Sequence, residues 1–336
     1  MAIRTLRRLL IAAGLSFSAC GSYAQPALPS QSDPDYFLLQ SFAAAGPDAR
    51  FALNHIGIEG QQTESGYMIT TVLDASPAQQ AGLQAGDIIL SANGEAFHPI
   101  TSLNPQSDTQ GRFLPLTAVV KLSISRAGES QSVSISPAFD NLFNTYRNAI
   151  PPSVQNFSLG NKTVAYLHLW GLSRSSHDLL TYREIISDLV LADGLILDLR
   201  HAYGYLHADL LHALVSDTLA QTVSQELDIG NELFPYYESY SKPIAVLING
   251  KTRGGAERLA WALQQSSQVV SIGEATAGAS REVQLDNGEL IYKPGDADTP
   301  PVGAITPHQN IEYLLPPSTR SDPHFNAAID ALLGII

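Results

Sequence analysis

The sequence predicts an α/β protein of two units, the first β-rich with two helices and the second a core in which strands and helices alternate. Three observations carry this. The 336 residues suffice for about two domains of ordinary size. Residues 67–73 (YMITTVL) and 119–125 (VVKLSIS) are β-branched, mostly alternating runs, as strands with one buried face are. From residue 164 onward, nearly all-apolar runs (VAYLHL, GLILDL, PIAVLI) alternate with stretches of helical period, which argues for a buried parallel sheet.

The elements follow in order. Residues 25 to about 35 (QPALPSQSDPD) are rich in Pro, Ser and Asp and read as a tether, and Tyr36 to Ala45 as a short helix. Pro77 to Leu83 reads as a short helix, its proline early, where a missing N–H costs little. Pro99 to Pro115 is a long connection. In the second unit, helices are expected over His177–Leu191, Ala208–Leu219, Ala256–Gln265 and Phe325–Leu333. Gly288 to Pro307 reads as loop.

Charge narrows the partners. Thirty-two acidic residues against 19 basic give a net charge of −13, and no basic run follows the first ten residues. Nucleic acid is excluded as a partner, since phosphates need a positive surface. Arg4, Arg7 and Arg8 precede the apolar run Leu9–Ala19, which is the pattern of an export signal. The run is shorter than the roughly 20 residues of a spanning helix, and no later segment is long and apolar enough. The only cysteine, Cys20, follows Phe17-Ser18-Ala19. This resembles a bacterial lipoprotein signal, which implies lipidation at Cys20, although Phe17 departs from the usual Leu-like residue. The rival is ordinary cleavage after Ser22-Tyr23-Ala24. Both place the protein in the periplasm, free or anchored to the outer membrane.

Ser76-Pro77-Ala78, Ala81-Gly82-Leu83, Gly86-Asp87-Ile88-Ile89 and Asn93-Gly94 form the pattern SPAxxAGLxxGDIILxxNG. It is similar to PDZ domains of bacterial exported proteases. Gly82 suits a helix end, and Asn93-Gly94 a tight turn with positive φ. A PDZ domain adds a peptide as a strand and captures its terminal carboxylate in a backbone nest. The resemblance implies that Ile56, Gly57 and Ile58 form that nest, with peptide or protein C-termini as partners.

Four segments of the second unit arrive in one order: Val164–Leu167, Gly194–Arg200, Ala245–Asn249 with Thr252 and Glu257, and Gly273–Gly278. This order resembles the C-terminal processing peptidase (tail-specific protease) family, over roughly residues 50 to 320 with the PDZ included. It implies a crotonase-like/ClpP-like α/β peptidase core. The implied division is a signal over 1–24, a tether over 25–47, a PDZ domain over 48–140 and the core over 141–336.

In that family the strand ending in Asn leads to a turn T-A-S-A-S-E, whose first serine is the nucleophile. Here the turn reads Thr252-Arg253-Gly254-Gly255-Ala256-Glu257, which places Gly254 at the nucleophile and Ala256 at the second serine. The general base is a lysine about 25 residues later, which must be neutral to take the serine's proton. That position is Ala279, with flanking residues in register. The D-L-R-x-N-P-G-G loop, whose glycine backbone helps form the oxyanion hole, reads Asp198-Leu199-Arg200-His201-Ala202-Tyr203-Gly204-Tyr205. Nucleophile, base and part of the oxyanion site are all altered, which implies abandoned hydrolysis and a pseudopeptidase that binds termini. Two alternatives stay open: a live serine peptidase with another nucleophile, and a regulatory partner of an active homologous peptidase.

Other candidates have plainer readings. Lys251, Thr252, Ser266, Ser267 and Ser280 lie nearby without an evident base, and Thr252 reads as a turn-capping hydroxyl. His201, His207 and His212, with Asp209, match no zinc spacing and read as solvated residues. No cofactor is expected. The tyrosines of Phe234–Tyr240 suit a peptide groove or a packed loop equally. Asp198 and Arg200 read as an ion pair that holds its loop.

Overall fold

The computed structural model describes residues 25–44, 49–229, 239–295, 299–301, 303–315 and 322–336. The export signal and Cys20 lie outside them. So does most of the Phe234–Tyr240 stretch.

The first helix, α1 (Pro34–Ala43), starts where Asp33 accepts the Asp35 N–H and Pro34 presets the first turn. It buries Tyr36, Leu38, Leu39 and Phe42. Leu38, Leu39 and Phe42 belong to the core of the second unit. The expected tether over 25–47 is therefore corrected within its described part. The helix is docked, and the preceding residues lie along the core, where Tyr292 donates to the Pro26 carbonyl at 2.6 Å.

The PDZ unit follows as β1 (Ala52–His55), β2 (Ile58–Thr63), β3 (Gly66–Val72), α2 (Pro77–Gln80), β4 (Ile88–Ala92), β5 (Glu95–Ala96), β6 (Val120–Arg126) and β7 (Glu129–Ile135). Its main sheet runs β2-β3-β4-β6-β7, with β5 paired to β4, so β2 is an edge strand. Asn93 and Gly94 have φ of 52° and 91°, the hairpin turn that their types predict. Among the described residues of this unit α2 stands as a helix, and the second of the two expected PDZ helices is not formed. After β5 the chain makes turns that bond Ser102 to His98 and Asn104 to Ile100, and stops. Pro105 follows at once, and a proline disfavours helix at the residue before it. Asn104 instead ties this connection to β1, accepting the Asn54 N–H at 2.7 Å.

The chain leaves through β8 (Ala138–Asn141), antiparallel to β1, and α3 (Leu142–Asn148). The core then comprises β9 (Gln155–Leu159), β10 (Lys162–His168), β11 (Gly171–Leu172), α4 (Ser176–Leu189), β12 (Gly194–Asp198), β13 (Tyr203–Gly204), α5 (Ala208–Leu214), α6 (Asp217–Glu226), β14 (Ile244–Ile248), α7 (Gly255–Gln264), β15 (Val269–Gly273), β16 (Val283–Asp286), β17 (Glu289–Tyr292), β18 (Gln309–Asn310) and α8 (Pro323–Leu333). The central sheet runs β18-β15-β14-β12-β10-β9, parallel except for β9. Every residue of β12 and β14 is buried, as strands covered on both faces are. The helix expected over Ala208–Leu219 is two helices, because Val215 is fully extended. The region expected as loop from Gly288 contains β17. It pairs with β16 across Asn287-Gly288, whose φ of 50° and 87° make the hairpin turn that Asn-Gly favours.

Candidate functional site

Parallel strands deliver the peptidase-type loops to one end of the sheet. β14 ends at Ile248 and the turn Asn249–Gly254 leads into α7. The turn is closed by Thr252. Its hydroxyl accepts the Asn249 N–H at 3.0 Å and donates to the Leu199 carbonyl at 2.8 Å. Thr252 is fully buried, so this hydroxyl caps and does not attack.

The structure brings together the two positions that the motif assigns to nucleophile and base. The Gly254 N–H donates to the Ala279 carbonyl at 2.8 Å. Neither residue carries a reactive side chain. Gly254 has φ 61°, in the region that favours glycine. The volume a serine would need is taken. A Cβ on Gly254 would lie 2.8 Å from Cε2 of Tyr203 and 3.0 Å from the Gly204 carbonyl oxygen. Tyr203 is itself buried, its ring edge-on to Phe42 of α1 at 5.2 Å.

The loop after β12 is equally committed. The N–H groups of Tyr203 and Tyr205 donate to the carbonyls of Trp170 and Leu172. Asp198 is fully buried and gripped by Arg200, as the sequence suggested. Burial alone would raise its carboxyl, but Arg200 and His168 outweigh that and hold it well below the usual range. Tyr166 donates to the same carboxylate at 2.8 Å, and Arg200 reaches Asp322 at 2.7 Å.

Beside this turn lies a buried ionic cluster that joins three parts of the chain. Arg253 pairs with Asp35 of α1 at 2.5 Å and lies 3.9 Å from Glu59 of β2. Glu59 also accepts from Tyr146, and its second oxygen lies 2.8 Å from His201 Nδ1. Burial opposes ionisation of Asp35 and Glu59. The neighbouring cations and hydrogen bonds win, and both carboxyls are held below their ordinary values. None of these long-range pairs was visible in the sequence, because no local pattern marks them.

The histidines expected to be solvated are corrected. His201 and His212 are buried, and His212 lies 3.1 Å from Asp217. His207 caps α5 by accepting the Asp209 N–H. Asp209 is bound by Arg183 through two hydrogen bonds of 2.7 and 2.6 Å. No group of three His, Cys, Asp or Glu suited to a metal occurs among the described residues. Ser280 is buried and donates to the Pro301 carbonyl, Ser266 accepts from Gln268, and Ser267 is exposed. Glu257, in the first turn of α7, accepts from Thr276 and from the Gly278 N–H. Burial pushes its carboxyl up to about 7 against those bonds.

The PDZ half is open by contrast. A cavity of about 620 Å³ lies between β2, the turns at His98–Leu103, α3 and the start of α1. Ile56, Gly57 and Ile58 line it, over an apolar base that includes Leu73, Phe97 and Ile100. Gly57 has φ 75°, and a Cβ there would meet Ser76 Cβ at 2.3 Å, so only glycine fits.

An edge-strand groove on a PDZ sheet, next to a buried parallel sheet with peptidase-type loops, defines a PDZ-bearing protein of peptidase fold. Residues 163–312 match peptidase family S41 and residues 68–104 match a PDZ domain. The chain is thus similar to peptidase family S41 over its second unit and to PDZ domains over part of its first. It is 27% identical over 245 residues to the carboxy-terminal processing protease CtpA of Bacillus subtilis, covering 70% of this chain and 50% of that one. It is 27% identical over 292 residues to the carboxyl-terminal-processing protease of a Synechocystis species, covering 79% and 65%. The chain therefore spans half to two thirds of the length of these relatives. A crystal structure of a putative S41 protease from Bacteroides fragilis shares the fold, with TM-score 0.53 and 18% identity over 94% of each chain.

Proposed function

We propose that this chain is a pseudopeptidase of the bacterial cell envelope, one that captures peptide or protein C-termini and does not cleave them. The observation that carries this reading is the contact between Gly254 and Ala279, with Tyr203 in the space of the missing side chain. Acyl transfer by this fold needs a nucleophile with a base in reach, and backbone alone supplies neither. The PDZ groove keeps its edge strand, its glycine nest and an apolar base. Export is inferred from Arg4, Arg7 and Arg8 before the apolar run and from Cys20 behind it. Among the described residues no helix is long and apolar enough to cross a membrane.

The test is direct. Purified protein is incubated with a fluorophosphonate probe and an unstructured protein substrate, and titrated with C-terminal peptides. We expect no labelling, no cleavage and saturable binding that weakens more than about tenfold in Gly57→Val, about 1.4 kcal/mol. Labelling or cleavage that persists after repurification would overturn the non-catalytic half. Absence of peptide binding would overturn the capture half.

A further inference from the structure

The peptide groove is not built by the PDZ unit alone. Its wall includes Asp33 and Asp35 at the start of α1, and Lys251 from the turn after β14. Lys251 is the lysine of this wall, and its side chain is 41% exposed. It sits 3.1 Å from Asp35.

Three carboxylates share the wall, so the sign of the local charge has to be argued. Asp35 is held by Arg253 through two hydrogen bonds, of 2.5 and 3.1 Å. Glu59 is bound by Tyr146 and His201 and has Arg253 beyond. Asp33 caps α1 through the Asp35 N–H. Asp35 and Glu59 are thus paired within the protein, while Asp33 is an exposed cap whose charge faces water. Lys251 differs. Asp35 keeps its Arg253 pair whether or not Lys251 stays, so the ammonium can turn to a second anion at little cost. A flexible, half-exposed stem allows that turn.

Resting on the capture reading above, we propose that Lys251 is a specificity-determining residue of the peptide groove. It selects peptides with an Asp or Glu side chain among the three residues before the C-terminal one. A strand added antiparallel to β2, with its carboxylate at Gly57, runs past Glu59 and Gly60 at that distance, and these two line the same cavity as Lys251 and its partner Asp35. The core would then read part of a ligand whose terminus is held by the PDZ unit.

The experiment uses the full mature chain and short fluorescent peptides ending in leucine, with Glu or Gln at each of the three preceding positions. Anisotropy titrations compare wild type, Lys251→Gln and Lys251→Arg. At least one Glu peptide should bind wild type about three- to fivefold tighter than its Gln partner, the range of a partly exposed ion pair. The preference should shrink with added salt, vanish in Lys251→Gln and survive in Lys251→Arg. Equal binding of all Glu and Gln peptides, or a preference unchanged in Lys251→Gln, overturns the proposal and leaves capture standing. If no peptide binds wild type, capture itself fails and this inference falls with it. Unchanged near-ultraviolet circular dichroism shows that each variant is folded.

Discussion

Two regions of this chain answer to peptide-handling motifs, and the structure treats them oppositely. At the PDZ groove, glycine stands where the backbone must approach Ser76, and a cavity of about 620 Å³ remains beside it. At the turn before α7, the space a side chain on Gly254 would need is filled by Tyr203. Around that turn the chain has invested buried charge, with Arg253 facing carboxylates from α1 and β2. The lesson is that a glycine acquires its meaning from what surrounds it. One keeps a groove open, and the other lets an aromatic ring close one. If the second region now serves the fold, changes there should cost stability, while changes in the groove should cost affinity.

The largest effect is expected from Arg253→Ala. The substitution strips the half-buried Asp35 and the buried Glu59 of a cation and leaves α1 tied to the turn by Lys251 alone among these ion pairs. Breaking a buried pair on one side costs about 3–5 kcal/mol. Urea unfolding of wild type and variant measures it. A loss below about 1 kcal/mol would mean that the cluster is ornamental and would collapse the contrast between the two regions.

Next comes Glu257→Gln, which sharpens the same contrast through pH. The Glu257 carboxyl has an ordinary value of 4.5 and is raised to about 7 in the fold. Below 4.5 both folded and unfolded chains hold the proton, and Glu257 costs nothing. As pH rises toward 7 the unfolded chain ionises first, so this group progressively destabilises the fold, by up to roughly 3 kcal/mol above pH 7. Glutamine keeps an acceptor for Thr276 and Gly278 without the charge. The variant should match wild type near pH 4.5 and gain on it through pH 7, as thermal melts across that range will report. A difference that is flat with pH refutes the assignment.

How much of this was legible beforehand follows from the range of each interaction. Strands such as Ile244–Ile248 and the turn at Asn93-Gly94 are dictated by residues in contact along the chain, and pattern suffices for them. The positions Gly254 and Ala279 could be named because flanking motifs keep their register. Their closure could not be foreseen. It depends on Tyr203, Phe42 and Asp35, brought in from distant parts of the sequence by packing. His201 read as solvated for the same reason: its partner, Glu59, is 142 residues away.

The smallest effect, and the most pointed, is expected from restoring the chemistry piecemeal. Gly254→Ser with Ala279→Lys returns a hydroxyl and an amine to positions whose backbones already touch. The serine Cβ meets the Tyr203 ring at 2.8 Å, so the ring must move within a packed cluster against Phe42. Overpacking of this kind costs about 1–3 kcal/mol. The double variant should therefore be less stable than wild type and remain unreactive toward a fluorophosphonate. Adding Tyr203→Gly clears the ring from the serine but leaves a cavity at a buried site, so the triple variant should be less stable still while giving the hydroxyl room. Labelling of the double variant at full stability would mean that the cleft was never closed and that only two side chains separate this chain from a working peptidase. Silence of the double variant with labelling in the triple would place the barrier in the packing around Tyr203, ahead of the missing nucleophile itself.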